Sequence, residues 1–304
     1  MDFKTNLAGI PLEHPLMNAA GTCKLIEGPE GVKELARSAA AAIMVGSITL
    51  EPRAGNEGDI YYSEEHFSLN SLGLPNPGKL YYKKYLPEMA AIAYDFGKPL
   101  FVSVAGFNPH EYAVLAGLAI NSGADLVELN LSCPNVWDNG SQKRIACFDL
   151  SLIQEILFQV IERVGLEAKL AIKISPFSDP FLFNELAKLI HCQNLIYGLN
   201  VVKVITAVNT FPNAISFNKG KPVITIGDGL AGLAGPALKP IALGQIRQLR
   251  GVLPESIDII GVGGIACGQD VLEYLLVGAN AVQIGTSFLS RGAKVFSEIL
   301  AELV

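Results

Sequence analysis

Short apolar runs alternate with longer helical patterns from one end of this chain to the other, and that alternation limits the fold more than any other feature. The runs are Leu16–Asn18, Ala41–Ile48, Pro99–Ala105, Ala124–Leu131, Lys169–Ile174, Val201–Val208, Asp258–Val262 and Ala281–Ile284. Most are apolar at successive positions rather than at every second one. Strands of that kind are buried on both faces, as in a parallel sheet covered by helices. The helical patterns fall at Pro29–Ser38, Pro87–Phe96, Pro109–Asn121, Ser151–Val164, Pro180–Cys192, Pro240–Arg250, Gln269–Val277 and Gly292–Leu303. Several open with Pro or Ser, which suit a first turn or a cap. Eight strands alternating with eight helices over 304 residues predict an α/β fold, a (β/α)8 TIM barrel forming one domain over 1–304. The competing arrangement, an open doubly wound sheet, usually carries GxGxxG after an early strand. The one match here, Gly227 to Gly232, lies late and inside a loop.

Two connections are longer than a barrel needs. Leu50–Leu86 follows the second strand and Thr210–Pro240 follows the sixth. Long loops in compact barrels commonly form lids or binding sites, and both leave C-terminal strand ends, where barrel active sites lie. Half of the residues are hydrophobic and 17% are charged, enough for a large core. A net charge of -6 without basic clusters gives no footprint for nucleic acid. No apolar run reaches membrane-spanning length, and Met1–Pro11 has no signal-peptide core. Five cysteines at unrelated spacings, with no CxxC, argue against a disulfide framework or zinc cluster. A cytoplasmic protein is expected.

Chemistry-bearing residues gather at the strand ends. Glu128-Leu129-Asn130-Leu131-Ser132-Cys133-Pro134-Asn135-Val136 closes the fourth run. Its proline ends the strand and leaves Cys133 on a loop at the mouth. Cys133 is either a small buried hydrophobe or a working thiol. The amides on either side can each donate and accept, which suits a planar ring bearing carbonyls and N–H groups. Asn70 in the first long loop and Asn209-Thr210 after the sixth strand add to that set. Gly263-Gly264 after strand seven and Gly285-Thr286 after strand eight occupy the usual phosphate-binding loops of a barrel, with Gly235 nearby. They are otherwise tight-turn glycines. Lys173 interrupts the apolar run Ala171–Ile174. It can meet an anion, form a Schiff base or reach outward from a strand end. Lys24, on the small-residue loop after the first strand, reads by position alone as solvated.

Together these residues resemble the dihydroorotate dehydrogenases, FMN-dependent barrels of pyrimidine synthesis, over essentially the whole chain. The resemblance rests on Asn130–Asn135, Asn70-Ser71-Leu72-Gly73-Leu74-Pro75-Asn76, Ile172-Lys173, and Gly263-Gly264 with Gly285-Thr286. It implies that Cys133 removes the C5 proton of dihydroorotate with a pKa near its ordinary value, while hydride passes to flavin N5. It implies that Lys173 stabilises the reduced ring and that Asn130 bridges flavin and substrate. Ala20, Gly21, Ser47 and Ser103 would contact the flavin, and Gly235, Gly263, Gly264, Gly285 and Thr286 would hold its phosphate. Asn70, Asn135, Asn209 and Thr210, with the backbone of Leu72, Gly73 and Leu74, would bind the substrate. A cysteine base marks the class 1 enzymes. The membrane-associated class 2 enzymes carry serine and an N-terminal extension not seen at this chain's start. The Asn70–Asn76 loop running on to Gly78 and Tyr81-Tyr82 looks most like the fumarate-using class 1A, expected as a homodimer. A class 1B protein would need an iron–sulfur and FAD subunit.

One position departs from the class 1 pattern. A lysine that contacts flavin and the orotate carboxylate is replaced here by Gly46, in Val45-Gly46-Ser47-Ile48-Thr49. Class 2 members share Gly-Ser here and take their lysine from an Ala-Ala-Gly-x-x-Lys pattern after the first strand. This chain has that pattern at Ala19–Lys24. Lys24 is therefore expected to replace the missing lysine.

Overall fold

In the computed structural model, which describes residues 3–22, 28–138 and 141–303, eight parallel strands form a barrel. They are β1 (Leu16–Asn18), β2 (Ile43–Ile48), β3 (Leu100–Val104), β4 (Leu126–Asn130), β5 (Leu170–Ile174), β6 (Val202–Ala207), β7 (Asp258–Val262) and β8 (Ala281–Ile284). Neighbours in sequence are neighbours in the sheet, and β8 pairs with β1. The last seam, β1 to β2, is a single bridge, Met17 to Ala42. Beyond it the Asn18 side chain continues the ladder. Its amide donates to the Met44 carbonyl at 2.7 Å and accepts from the Met44 N–H at 2.9 Å.

Around the strands lie α1 (Gly28–Arg37), α2 (Gly78–Asp95), α3 (Pro109–Asn121), α4 (Leu150–Val164), α5 (Phe181–Tyr197), α6 (Lys239–Val252), α7 (Gly268–Leu276), α8 (Thr286–Arg291) and α9 (Lys294–Leu303). Helix α4 shows why these segments wind. Ile153, Ile156, Leu157, Val160 and Ile161 make one buried stripe, and the Asp149 carboxylate caps the Leu152 N–H at 3.1 Å. Three helices differ from expectation. Helix α5 runs to Tyr197 instead of ending at Cys192. Helix α2 begins at Gly78 and carries Pro87 inside it, so Pro87 is not its opener. Tyr82, Leu86, Met89 and Ala93 are its buried stripe, and their packing outweighs the ~3 kcal/mol that an interior proline costs. Helix α8 is one short extra turn after β8.

Strand alternation divides the core in two. Val127, Leu129, Ile172 and Ile284 face the helices, while Met17, Phe101, Leu126, Ala171, Val204 and Ile260 pack inside the barrel. The N-terminal hairpin, Thr5–Leu7 with Ile10–Leu12, plugs the lower end by adding Leu7, Ile10 and Leu12 to that inner cluster. The Ala8 N–H binds the carboxylate of Asp258, the first residue of β7, which locks the plug to the N-terminal strand ends.

The opposite end carries the two long loops. Parts of both form one antiparallel sheet, ordered Phe211–Ala214, Ala231–Ala234, Ser68–Asn70 and Tyr61–Ser63. Gly232 pairs with Asn70 and Ala234 with Ser68. The Gly227–Gly232 match is a 3-10 turn running into this sheet, with no strand-to-helix turn. No helix among the described residues is long and apolar enough to cross a membrane.

Candidate active site

Going up the barrel, inward side chains change from apolar to polar. Below sit Leu126, Ala171 and Ala281. Two residues further along the same strands come Glu128, Lys173 and Gln283, all buried. Above them a cavity of about 510 Å³ opens between the C-terminal strand ends and the cap sheet. Small-molecule sites commonly occupy about 300–1,000 Å³.

Lys173 and Gln283 form part of its floor. The Lys173 Nζ donates to Gln283 Oε1 at 3.1 Å and lies 3.7 Å from Glu128 Oε1. A Schiff base needs a free amine, and this one is committed to two partners. The arrangement favours a fixed positive charge. Gln283 and Glu128 escaped the sequence reading. Each is a polar residue inside an apolar run, the same signal that singled out Lys173.

One side of the cavity is glycine-rich backbone. Gly235, Gly263, Gly264, Gly285 and Thr286 all line it. A Cβ on Gly264 would stand 2.8 Å from the Gly235 carbonyl oxygen, so these two loops touch backbone to backbone. A Cβ on Gly285 would meet only the Ala19 Cβ, at 3.7 Å, and one on Gly21 would meet nothing within 4 Å. Space that side chains would fill is left to the cavity, which is how a phosphate or a ring edge is brought against backbone N–H groups. The Thr286 hydroxyl pairs with Ser68 of the cap sheet at 3.2 Å. Arg291 also lines this side, where it donates to Glu298 at 2.8 Å and to the Ala266 carbonyl at 2.7 Å. Its place on the short helix α8 is not visible in the sequence pattern.

The other side is the amide set. Asn70, Asn130, Asn135, Asn209 and Thr210 all reach the cavity, with Leu72, Gly73 and Leu74. The Asn130 side chain donates to Ser47 Oγ at 2.9 Å, and its Oδ1 accepts from the Ser132 hydroxyl at 3.1 Å. Asn209 donates to Ser132 Oγ at 3.0 Å, and Asn135 donates to the Asn70 carbonyl at 2.7 Å. Thr210 Oγ1 is buried with no hydrogen-bond partner. That oxygen lies against the Gly232 backbone of the cap sheet, where an added Cβ would stand 2.0 Å from it. Ala20 and Ser47 line the cavity, whereas Ser103 does not; it is fully buried and supports Ser47 through a 2.9 Å hydroxyl pair. Lys24 lies outside the described residues.

Cys133 is half-buried and sits between this cavity and a smaller one of about 50 Å³ lined by Phe107, Tyr112 and Lys143. Burial pushes its thiol up from the ordinary range, while the Asn135 N–H, Arg53 and Lys143 pull it down. Burial prevails, so the pKa is raised instead of ordinary as expected. The Arg53 guanidinium and the Lys143 ammonium both stack on the Phe107 ring, 5.0 and 4.0 Å from its centroid. The Tyr112 hydroxyl, itself pushed up by burial, donates to the Asn130 carbonyl at 2.8 Å and fixes the strand end before Cys133.

The chain matches the family model described as dihydroorotate dehydrogenase over residues 2–304. It is 35% identical to a protein of Enterococcus faecalis named probable dihydroorotate dehydrogenase A (fumarate), covering 100% of this chain and 93% of that one. It is 35% identical to dihydroorotate dehydrogenase (fumarate) of Kluyveromyces lactis over 99% of this chain and 92% of the other. Dihydroorotate dehydrogenase A (fumarate) of Lactococcus lactis subsp. cremoris is 34% identical, with 99% and 93% covered. A crystal structure of DHODH from Eimeria tenella in complex with ferulenol matches with a TM-score of 0.80 at 20% identity, over 99% of this chain and 83% of that one. At that identity the likeness speaks for the fold alone.

Proposed function

The chain belongs to the dihydroorotate dehydrogenase family, and we propose that it oxidises (S)-dihydroorotate to orotate in pyrimidine (UMP) biosynthesis, with FMN as cofactor. The observation that carries this is the division of one cavity into three: a charged floor at Lys173, a glycine-backbone side and an amide side that holds Cys133.

The residues present fit FMN. Gly235, Gly263, Gly264, Gly285 and Thr286 would hold its phosphate. Ala20, Gly21, Ser47, Asn130 and Lys173 would hold the ring, with Ser103 acting through Ser47. When bound, FMN supplies the two-electron acceptor for the hydride that leaves C6 of dihydroorotate. Cys133, as thiolate, takes the C5 proton, so the C5–H and C6–H bonds are both exchanged for a C5–C6 double bond. Asn70, Asn135, Asn209 and Thr210, with the backbone of Leu72, Gly73 and Leu74, would orient the pyrimidine. Lys24 would anchor the carboxylate.

The names of the relatives favour fumarate as electron acceptor, which requires no iron–sulfur and FAD subunit. A cytoplasmic homodimer is the form proposed. Gly46, in place of the class 1 lysine, favours a second reading: a flavoenzyme of this family that acts on another small cyclic or enone substrate. Turnover distinguishes the two. Purified protein given dihydroorotate and fumarate should form orotate, followed by its ultraviolet absorbance. No orotate with fumarate or with an artificial dye acceptor would overturn the proposal.

A further inference from the structure

We propose that Glu128 and Gln283 are positioning residues that hold Lys173 as an ammonium beneath the cavity, a role whose use in catalysis rests on the flavin site proposed above. Lys173 is 3% exposed, at an inward position of β5 between Asn130 on β4 and Thr206 on β6. A lysine this deep loses its hydration, and burial alone favours the neutral amine. An ammonium there needs partners inside the barrel.

Glu128 is placed to be one. It lies two residues before Asn130 on β4, so it faces the same interior. It is 0% exposed, and its Oε1 stands 3.7 Å from the Lys173 Nζ. That oxygen accepts no hydrogen bond among the described residues, which leaves its charge directed at the ammonium. Gln283 joins the pair from across the barrel. Its Oε1 accepts from Lys173 at 3.1 Å, and its Nε2 donates to Glu128 Oε2 at 3.0 Å. The amide satisfies both neighbours in one orientation only. Flipped, it would set N–H against ammonium and carbonyl against carboxylate.

Among the described residues, Glu128 is the one charged side chain that pairs with Lys173. Asn130 on β4 and Thr206 on β6, its register partners on either side, are uncharged. The other titratable side chains lining the cavity, Tyr61, Glu64, Glu65, Cys133 and Arg291, make no hydrogen bond or ion pair with it. Held this way, the Lys173 Nζ is fixed beneath the cavity, where it can face an electron-rich ring.

Nuclear magnetic resonance of lysine labelled at Cε reads this directly. The Lys173 signal is assigned by its loss in Lys173→Met, and titrated with and without FMN. The wild-type midpoint is the reference for both variants. In Glu128→Gln it should lose its proton at least roughly tenfold more readily at a given pH. Gln283→Met should shift it in the same direction by less, and serves if Glu128→Gln does not fold. An unchanged Lys173 midpoint in Glu128→Gln, or in Gln283→Met where that variant has to serve, overturns the proposal. Failure to bind FMN would count against the flavin site alone, because the lysine titration is also read without it.

Discussion

A Cβ placed on Gly46 would stand 2.2 Å from the carbonyl oxygen of Ser103. Gly46 also has a φ of +108°, a region L side chains rarely adopt. This backbone has no room for the lysine that class 1 relatives carry at this point. Ser47 follows directly and is tied to Ser103 and Asn130, so the approach of the two strands also seats a proposed flavin contact. Gly46→Lys should therefore fail to install an anchor. It should instead lower unfolding stability by roughly 3 kcal/mol or more, read by urea denaturation. A variant as stable as the parent that binds orotate more tightly would contradict this.

If position 46 cannot hold the anchor, the carboxylate needs another cation, and Lys24 is the proposed one. Lys24→Ala should weaken orotate binding about tenfold or more, as expected for loss of a charge-assisted hydrogen bond. FMN should remain largely bound. Titration of flavin fluorescence with orotate measures both, and an unchanged orotate affinity would remove Lys24 from the account.

The pH dependence follows from Cys133. A base must be deprotonated, and burial raises this thiol. Reduction by dihydroorotate should therefore rise with pH and still be climbing at about pH 8.5, the ordinary thiol value. Arg53 and Lys143 favour the thiolate. Arg53→Met or Lys143→Met should move the rise to higher pH, with the rate at high pH less affected than at neutral pH. Stopped-flow reduction across pH checks this. A rise shifted to lower pH in either variant would contradict the electrostatic role.

The barrel seam makes a stability prediction. Asn18 is 0% exposed and satisfies both backbone groups of Met44. Asn18→Leu keeps the volume but leaves that N–H and C=O unpaired in the interior. The expected cost is roughly 2–6 kcal/mol, at about 1–3 kcal/mol per unsatisfied group. A loss below about 0.5 kcal/mol in chemical denaturation would mean that the seam closes without the side chain.

The barrel was legible because its strands are buried on both faces. Leu16–Asn18, Asp258–Val262 and Ala281–Ile284 fall where their apolar runs predicted them. Pro87 looks like a helix opener, which places α2 nine residues late, and only the packing of Tyr82 and Leu86 shows otherwise. Strand-end chemistry was legible too: Cys133, Lys173 and the amides reach one cavity. What pairs across the barrel was not. The Lys173–Gln283–Glu128 link joins residues 110 and 155 positions apart, and nothing local in the sequence signals it. The two long loops were expected over the site, but their union into one sheet through Asn70 and Gly232 depends on register that only the fold supplies.

The central claim is that this cavity takes electrons from dihydroorotate onto a bound flavin. The visible spectrum of the purified protein, before and after dihydroorotate is added without oxygen, tests it most directly. Flavin absorption bands should bleach on addition and return with fumarate. A protein that carries no flavin, or whose flavin bands stay unchanged under dihydroorotate, would contradict it.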